Sequence, residues 1–325
     1  MSRSDSAKTP TRIKDLWFAN ADLVLRAENS IFRVYSGILG ARSSVFRDMI
    51  AFPQPSVPSA QEDTIDGCNV VQLHDKAAEA EVFLRAVFDS SFFMPPPSCV
   101  EFVVVIGVLR LAHKYDVQYL FQRALSHLGS MYPADFTDLL DAVGSVEDLP
   151  CDDMITTGDV EHIMAMISLR AALEVGATWL LPGIYYNIVF SVDFMNHAAK
   201  YLQTDEIQAC LAAQIKFMRA QASSYRFMRD LPLDSCPCWS ECKAALAEAY
   251  TELDFRAAEH SDIDPLAPFV FENTAIELCA TCDEFSSTHF AEAQQTFWGS
   301  LPSIFGLPEW DELDQMRRKA MNEEA

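Results

Sequence analysis

Apolar and polar positions change period several times along the chain, and the first change is the most informative. Asp22-Leu23-Val24-Leu25 reads as a strand, and the polar Arg26–Ser30 as a turn. Ile31-Phe32-Arg33-Val34-Tyr35 is a second strand, with Ile31 and Arg33 on one face and Phe32 and Val34 on the other. A helix follows, with Ser36 as its N-cap and Ile38, Leu39, Val45, Phe46 and Met49 as its apolar stripe. A hairpin covered by a helix is a scaffold for binding, and this stretch carries no obvious reactive group.

Upstream, residues 1–14 are polar and Ser/Thr-rich and read as a disordered tail. Downstream, the three prolines of Phe52–Gly67 mark a loop, and Val70–Leu73 is a short strand. Ala77–Asp89 and Val117–Tyr132 read as amphipathic helices. Glu101–Lys114 is ambiguous by period alone: Val103–Ile106 favours a strand, but the apolar run is longer than most strands. Further helices are expected over Ala134–Val143, Glu161–Gly176, Ile184–Phe190, Phe194–Tyr201 and Asp205–Gln221, with Thr204 capping the last of these. In the final segment Glu241–Phe255 suits a helix, and Trp298–Trp310 has large apolar residues between prolines, which suits a segment lying across other helices. The chain has no internal repeat that its pattern reveals.

A length of 325 residues suggests about two domains. The formal charge, 24 − 47 = −23, repels a phosphate backbone, so nucleic acid is not expected as a partner. Met1–Lys14 has no apolar core of the kind a secretion signal needs. The apolar runs Phe102–Leu109 and Ala177–Val192 are short, and the second is interrupted by Pro182 and Asn187, so no membrane span is expected. An intracellular protein, in cytoplasm or nucleus, is the expectation. Its nine cysteines then argue for thiols or metal ligands more than for a disulfide framework.

Three runs resemble the BTB/POZ domain: Asp22-Leu-Val-Leu, Phe32-Arg-Val34-Tyr35, and Leu39-Gly-Ala-Arg-Ser43-Ser-Val-Phe46. Tyr35 stands where many members have His. Leu111-Ala-His113-Lys-Tyr115-Asp116 and the closing Trp298–Trp310 run are similar to the fungal members that have a helical C-terminal half. The resemblance implies an α+β fold: a BTB/POZ-like domain over residues 15–132, a short β-sheet flanked by helices. An all-α half would follow, a helical domain over 133–233 and a Cys-containing helical segment over 234–325. The resemblance also makes Glu101–Lys114 a buried helix.

The function so implied is protein–protein interaction by a self-associating scaffold or regulatory adaptor, expected as a homodimer. One alternative is a substrate adaptor of a cullin-type ubiquitin ligase. Its usual hydrophobic-x-Glu motif has no counterpart in Phe88-Asp-Ser-Ser-Phe-Phe-Met94. Another is a transcription-linked regulator without direct DNA contact. Leu16, Trp17 and Phe18, an apolar cluster flanked by polar residues, are the candidate interaction residues.

The sharpest chemistry lies in the cysteines. Cys279-Ala-Thr-Cys282 has metal-knuckle spacing, and upstream Cys242 pairs with either Cys236 or Cys238. Four of these five would form a structural zinc site; the alternative is ordinary thiols. No catalytic residue is assigned: GxGxxG, GxSxG and HExxH are absent. His113-Lys114-Tyr115 ends a helix, where cations are favoured by the dipole.

Overall fold

The computed structural model describes residues 9–51, 64–138, 158–190, 194–226, 236–259, 264–266 and 278–323. The architecture is mixed α+β, a five-stranded sheet near the N-terminus followed by helices. The chain divides into two units, Met1–Met131 and Tyr132–Ala325.

In the first unit, β2 (Leu23–Ala27) and β3 (Ser30–Val34) form the expected hairpin, turning through Glu28, which lies at φ 49. A second hairpin, β4 (Thr64–Ile65) and β5 (Cys68–Leu73), turns at Asp66-Gly67. Both turn residues have positive φ, 51 and 77, the conformation of a two-residue turn that matches strand twist. β5 joins β2 in parallel, and β1 (Thr11–Trp17) joins β3 in parallel, giving the order β1-β3-β2-β5-β4. The parallel β2–β5 pairing brings the first hairpin and the helices after β5 into one fold.

β1 corrects part of the tail expected over residues 1–14. Thr11–Lys14 are strand, because backbone pairing to β3 compensates for a polar sequence. Residues 1–8 lie outside the described residues. Leu16, Trp17 and Phe18, the candidate interaction residues, all have contacts within their own unit, and Trp17 and Phe18 are half-buried. Leu16 is buried in the core. Trp17 packs against Val24, Ile31 and Cys68, under the Arg12 guanidinium. Phe18 stacks on Tyr35 at 5.5 Å and lies 5.4 Å from Phe88.

The helix expected after Tyr35 is two helices, α1 (Ser36–Arg42) and α2 (Ser44–Ala51). The break is Ser43, extended at φ −132 and ψ 121. Its buried hydroxyl donates to the Tyr115 carbonyl at 2.5 Å and accepts the Phe46 N–H at 3.0 Å. Ser43 is therefore the N-cap of α2. Ser36 does not cap α1 with its side chain; its N–H and hydroxyl both bond the Asp22 carboxylate, at 2.9 and 2.5 Å. Those bonds hold the Asp22 carboxyl below its ordinary range.

α3 (Ala77–Phe88), α4 (Phe102–Lys114) and α5 (Gln118–Met131) complete the unit. α4 is buried nearly all round, and Gly107 allows α3 to come close, since a Cβ there would stand 2.7 Å from Val82 Cγ2. The motif after α4 is a junction. Tyr115 stacks on Phe46 at 4.5 Å, and its hydroxyl shares Asp75 with Lys114, each at 2.5 Å. Asp116, at φ 52, accepts bonds from Ser44 and Gln118. These residues tie α2, α4 and α5 together.

The second unit is helical: α6 (Gly158–Val175), a 3₁₀ turn (Thr178–Leu180), α7 (Leu181–Val189), α8 (Met195–Tyr201), α9 (Thr204–Ser224), α10 (Trp239–Glu259), α11 (Ala280–Ile304) and α12 (Trp310–Met321). The expected Ala134–Val143 helix extends beyond the described residues after 138. Helices on both sides of residue 233 share one aromatic cluster. Phe217 of α9 meets Phe297 of α11 edge-on at 5.0 Å, and Tyr185 of α7 stacks on Phe305 at 4.5 Å. The Trp298–Trp310 run, expected as a segment lying across other helices, is largely helical. It completes α11 with Pro302 inside the helix, turns at Gly306, and starts α12 with Trp310 stacked on Trp298. The α9 cap is also corrected: it is Gln203, in a capping box closed by Glu206, with Thr204 the first helical residue.

Ser43→Ala leaves the buried Phe46 N–H without its acceptor and uncaps α2. The expected loss is about 1–2 kcal/mol, measured as a lower midpoint in urea unfolding. A Ser43→Thr variant that keeps the hydroxyl at the same place retains most of it.

Candidate metal centre

Two helix starts in the second unit bring the cysteine groups together. The Cys238 carbonyl accepts the Glu241 and Cys242 N–H groups at 3.1 and 2.9 Å, so Cys238 caps α10 and Cys242 sits in its first turn. Cys279 is the N-cap of α11, its carbonyl accepting the Asp283 N–H at 2.9 Å, and Cys282 lies in that first turn. Cys236 approaches from the segment before α10.

The sulfurs of Cys236, Cys242, Cys279 and Cys282 all lie within 4.8 Å of one another. Cys236 Sγ is 3.7 Å from Cys279 Sγ, far beyond a disulfide, and all four are free thiols. A tetrahedral ion bonded to thiolates at about 2.3 Å separates its sulfurs by about 3.8 Å. The cluster matches that size, and it could hold a metal ion. Cys242 and Cys282 are buried, while Cys236 and Cys279 are half-buried, so the cluster lies under the surface with one side toward solvent.

The electrostatics favour thiolate at Cys279, which caps α11 where the helix N-terminus stabilises negative charge, while Cys242 is raised. The Cys282 N–H bonds the Cys279 sulfur and lowers that thiol to about 7. The Cys279 N–H in turn donates to Cys242 Sγ at 3.4 Å. Burial pushes Cys282 the other way, which makes a compensating cation more favourable at that sulfur.

Of the five expected ligands, Cys238 is the one left out. Its carbonyl is committed to the helix, and its thiol bonds the Glu241 carboxylate instead of joining the four. The signal was in the sequence: Glu241 stands three residues after Cys238, the spacing of a helix start. The ligand pairs are thus C-x5-C and C-x2-C. Outside the cluster, Cys68 and Cys210 are buried free thiols, and Cys99 is disulfide-bonded, which corrects the expectation of free thiols or ligands at that position. His289, a further conceivable ligand, instead bonds the Phe285 carbonyl along its own helix.

The exposed apolar corner of α1 and α2 is the site the sequence pattern did not reveal. Tyr35, Ile38, Val45 and Ile50 are exposed there. Ile38 and Val45 belong to the apolar stripe expected to pack inward, and the break at Ser43 turns them out while Leu39 and Phe46 go in. No helix among the described residues is long and apolar enough to cross a membrane.

Cys282→Ser or Cys242→Ser is expected to destabilise the second unit by roughly 3 kcal/mol or more, read from tryptophan fluorescence during urea unfolding. Cys238→Ser leaves the midpoint unchanged. Equal effects of all three substitutions would show that the sulfurs act as separate packing groups. Compared with family models, curated proteins and solved structures, the chain finds no match.

Proposed function

We propose that this chain is a protein–protein interaction module that self-associates through a BTB/POZ-like N-terminal unit and carries structural zinc in its helical unit. The observation that carries the reading is the α1–α2 corner. Its four large apolar side chains, Tyr35, Ile38, Val45 and Ile50, are 36 to 42% exposed beside a hairpin whose other apolar residues are buried. In a two-fold pair the same corner from each copy covers the other, so each exposed residue is used twice. The chemistry of the unit supports binding in preference to catalysis: its carboxylates and hydroxyls at Asp22–Ser36, Asp75–Tyr115 and Asp116–Ser44 are engaged with one another in tying elements together.

Zinc suits the four-cysteine cluster because it takes thiolates in a closed tetrahedron and needs no open position. Cys236, Cys242, Cys279 and Cys282 would hold it, joining the start of α10 to the start of α11. The ion would contribute folding energy there, about 10 kcal/mol or more as in small zinc domains.

Native mass spectrometry tests both parts on one sample. The expected species is a dimer with one zinc per chain. Ile38→Glu with Val45→Glu returns a monomer that keeps its zinc, and Cys282→Ser loses zinc but keeps the dimer. A wild-type monomer across micromolar concentrations sinks self-association. A metal-free chain at neutral pH, with Cys236, Cys242, Cys279 and Cys282 all titratable in the folded state, sinks the zinc site.

A further inference from the structure

Helix α9 carries a face that its own unit does not use. Its inward stripe, Glu206, Cys210, Ala213 and Phe217, is buried. Its outward stripe is Leu211, Ile215 and Met218, exposed at 41, 51 and 47%, continued by exposed Ala222. A single exposed leucine is ordinary. Three large apolar residues followed by alanine at steps of four, three and four are the seam of a helix that packs lengthwise on another helix. The run from Leu211 to Ala222 spans about 16 Å at 1.5 Å per residue.

The charge along this helix is the second observation. From Ile207 to its end at Ser224 it bears Lys216 and Arg219 and no Asp or Glu, in a chain whose net charge is −23. Both cations are exposed; Arg219, four residues after Ile215 and one after Met218, borders the seam, whereas Lys216 lies further round the helix. Lys216 also donates to the Ile304 carbonyl, which holds its stem on the surface. An apolar seam whose one charged neighbour on the helix is a cation, Arg219, favours an occupant with an apolar stripe bordered by anions.

We infer that the outward face of α9 docks an acidic amphipathic helix of another protein, with Leu211, Ile215 and Met218 in the seam and Arg219 facing the partner's carboxylates. A second copy of the same face would set cations against cations. An anionic bilayer would repel the rest of so acidic a chain, and the stripe has no Trp or Phe to enter the headgroup region. The inference uses no residue of the α1–α2 corner or the cysteine cluster.

The test titrates the full-length protein into two fluorescent helical peptides with identical leucine heptads, one carrying Glu at the flanking positions and the other Lys. The acidic peptide is expected to bind at least about tenfold more tightly than the basic one. Ile215→Glu with Met218→Glu removes that binding, and Arg219→Glu reverses the preference. Because these positions are exposed, circular dichroism of the variants matches the parent. Val103→Glu, at a 68% exposed position in the first unit, leaves binding unchanged. Equal binding of the two peptides, no binding of the acidic one at millimolar concentration, or binding that survives Ile215→Glu with Met218→Glu overturns the inference. So does sedimentation with phosphatidylserine vesicles that the same variant abolishes, which would assign the face to a membrane. A sedimentation-velocity mass that falls in that variant without peptide also overturns it, in favour of a second copy.

Discussion

The first unit depends on pairing both edges of β2. Four of its five residues are buried, and Val24, Leu25 and Ala27 have no exposed surface. A strand covered on both faces cannot give its backbone groups to water, so each N–H and C=O must find a partner strand. β3 meets one edge through a two-residue turn, which is local and inexpensive in chain entropy. The other edge needs β5, more than forty residues away in sequence and running parallel. Satisfying that edge is what folds the intervening helices α1 and α2 back over the sheet and delivers α3 to its place. The Ser43, Asp75 and Tyr115 bonds then lock the helices in the arrangement the pairing has imposed.

The second unit solves a different problem. Its centre is aromatic, with Tyr185, Phe217, Phe297 and Phe305 in contact, and it needs no help there. At the described start of α10 the buried positions are Cys242, Leu246 and Ala249. A bond from Cys242 through a metal would tie that start to the start of α11.

Legibility in the sequence followed the range of the forces. The hairpin, α3, α4 and α5 could be placed because their patterns are local. β1 escaped because Thr-Arg-Ile-Lys-Asp has no apolar alternation, and only pairing to β3 makes it a strand. The break at Ser43 escaped because one apolar stripe continues through it; what accompanies the split is a bond from the Ser43 hydroxyl to the Tyr115 carbonyl, seventy-two residues away. The cysteine cluster was legible as a set of five, since spacing alone identifies soft ligands that converge. Choosing four needed the helix start, which commits the Cys238 carbonyl and turns its thiol toward Glu241. The disulfide at Cys99 had no local signal of any kind.

The two exposed apolar surfaces differ in a way that assigns them different kinds of occupant. Around the α1–α2 corner both signs are present: Arg42 and Arg47 stand with Asp48, and Arg47 and Asp48 lie 3.6 Å apart. A surface with mixed charges can be set against its own copy, because a two-fold rotation can place each charge near its opposite. On α9 past Ile207 the charges are of one sign, and no rotation of that face onto itself changes this. Apolar area makes both surfaces adhesive; the charges at their borders decide what each can adhere to. In a chain this acidic, the stretch of α9 from Ile207 to Ser224 carries no carboxylate. The same stretch leaves its seam uncovered.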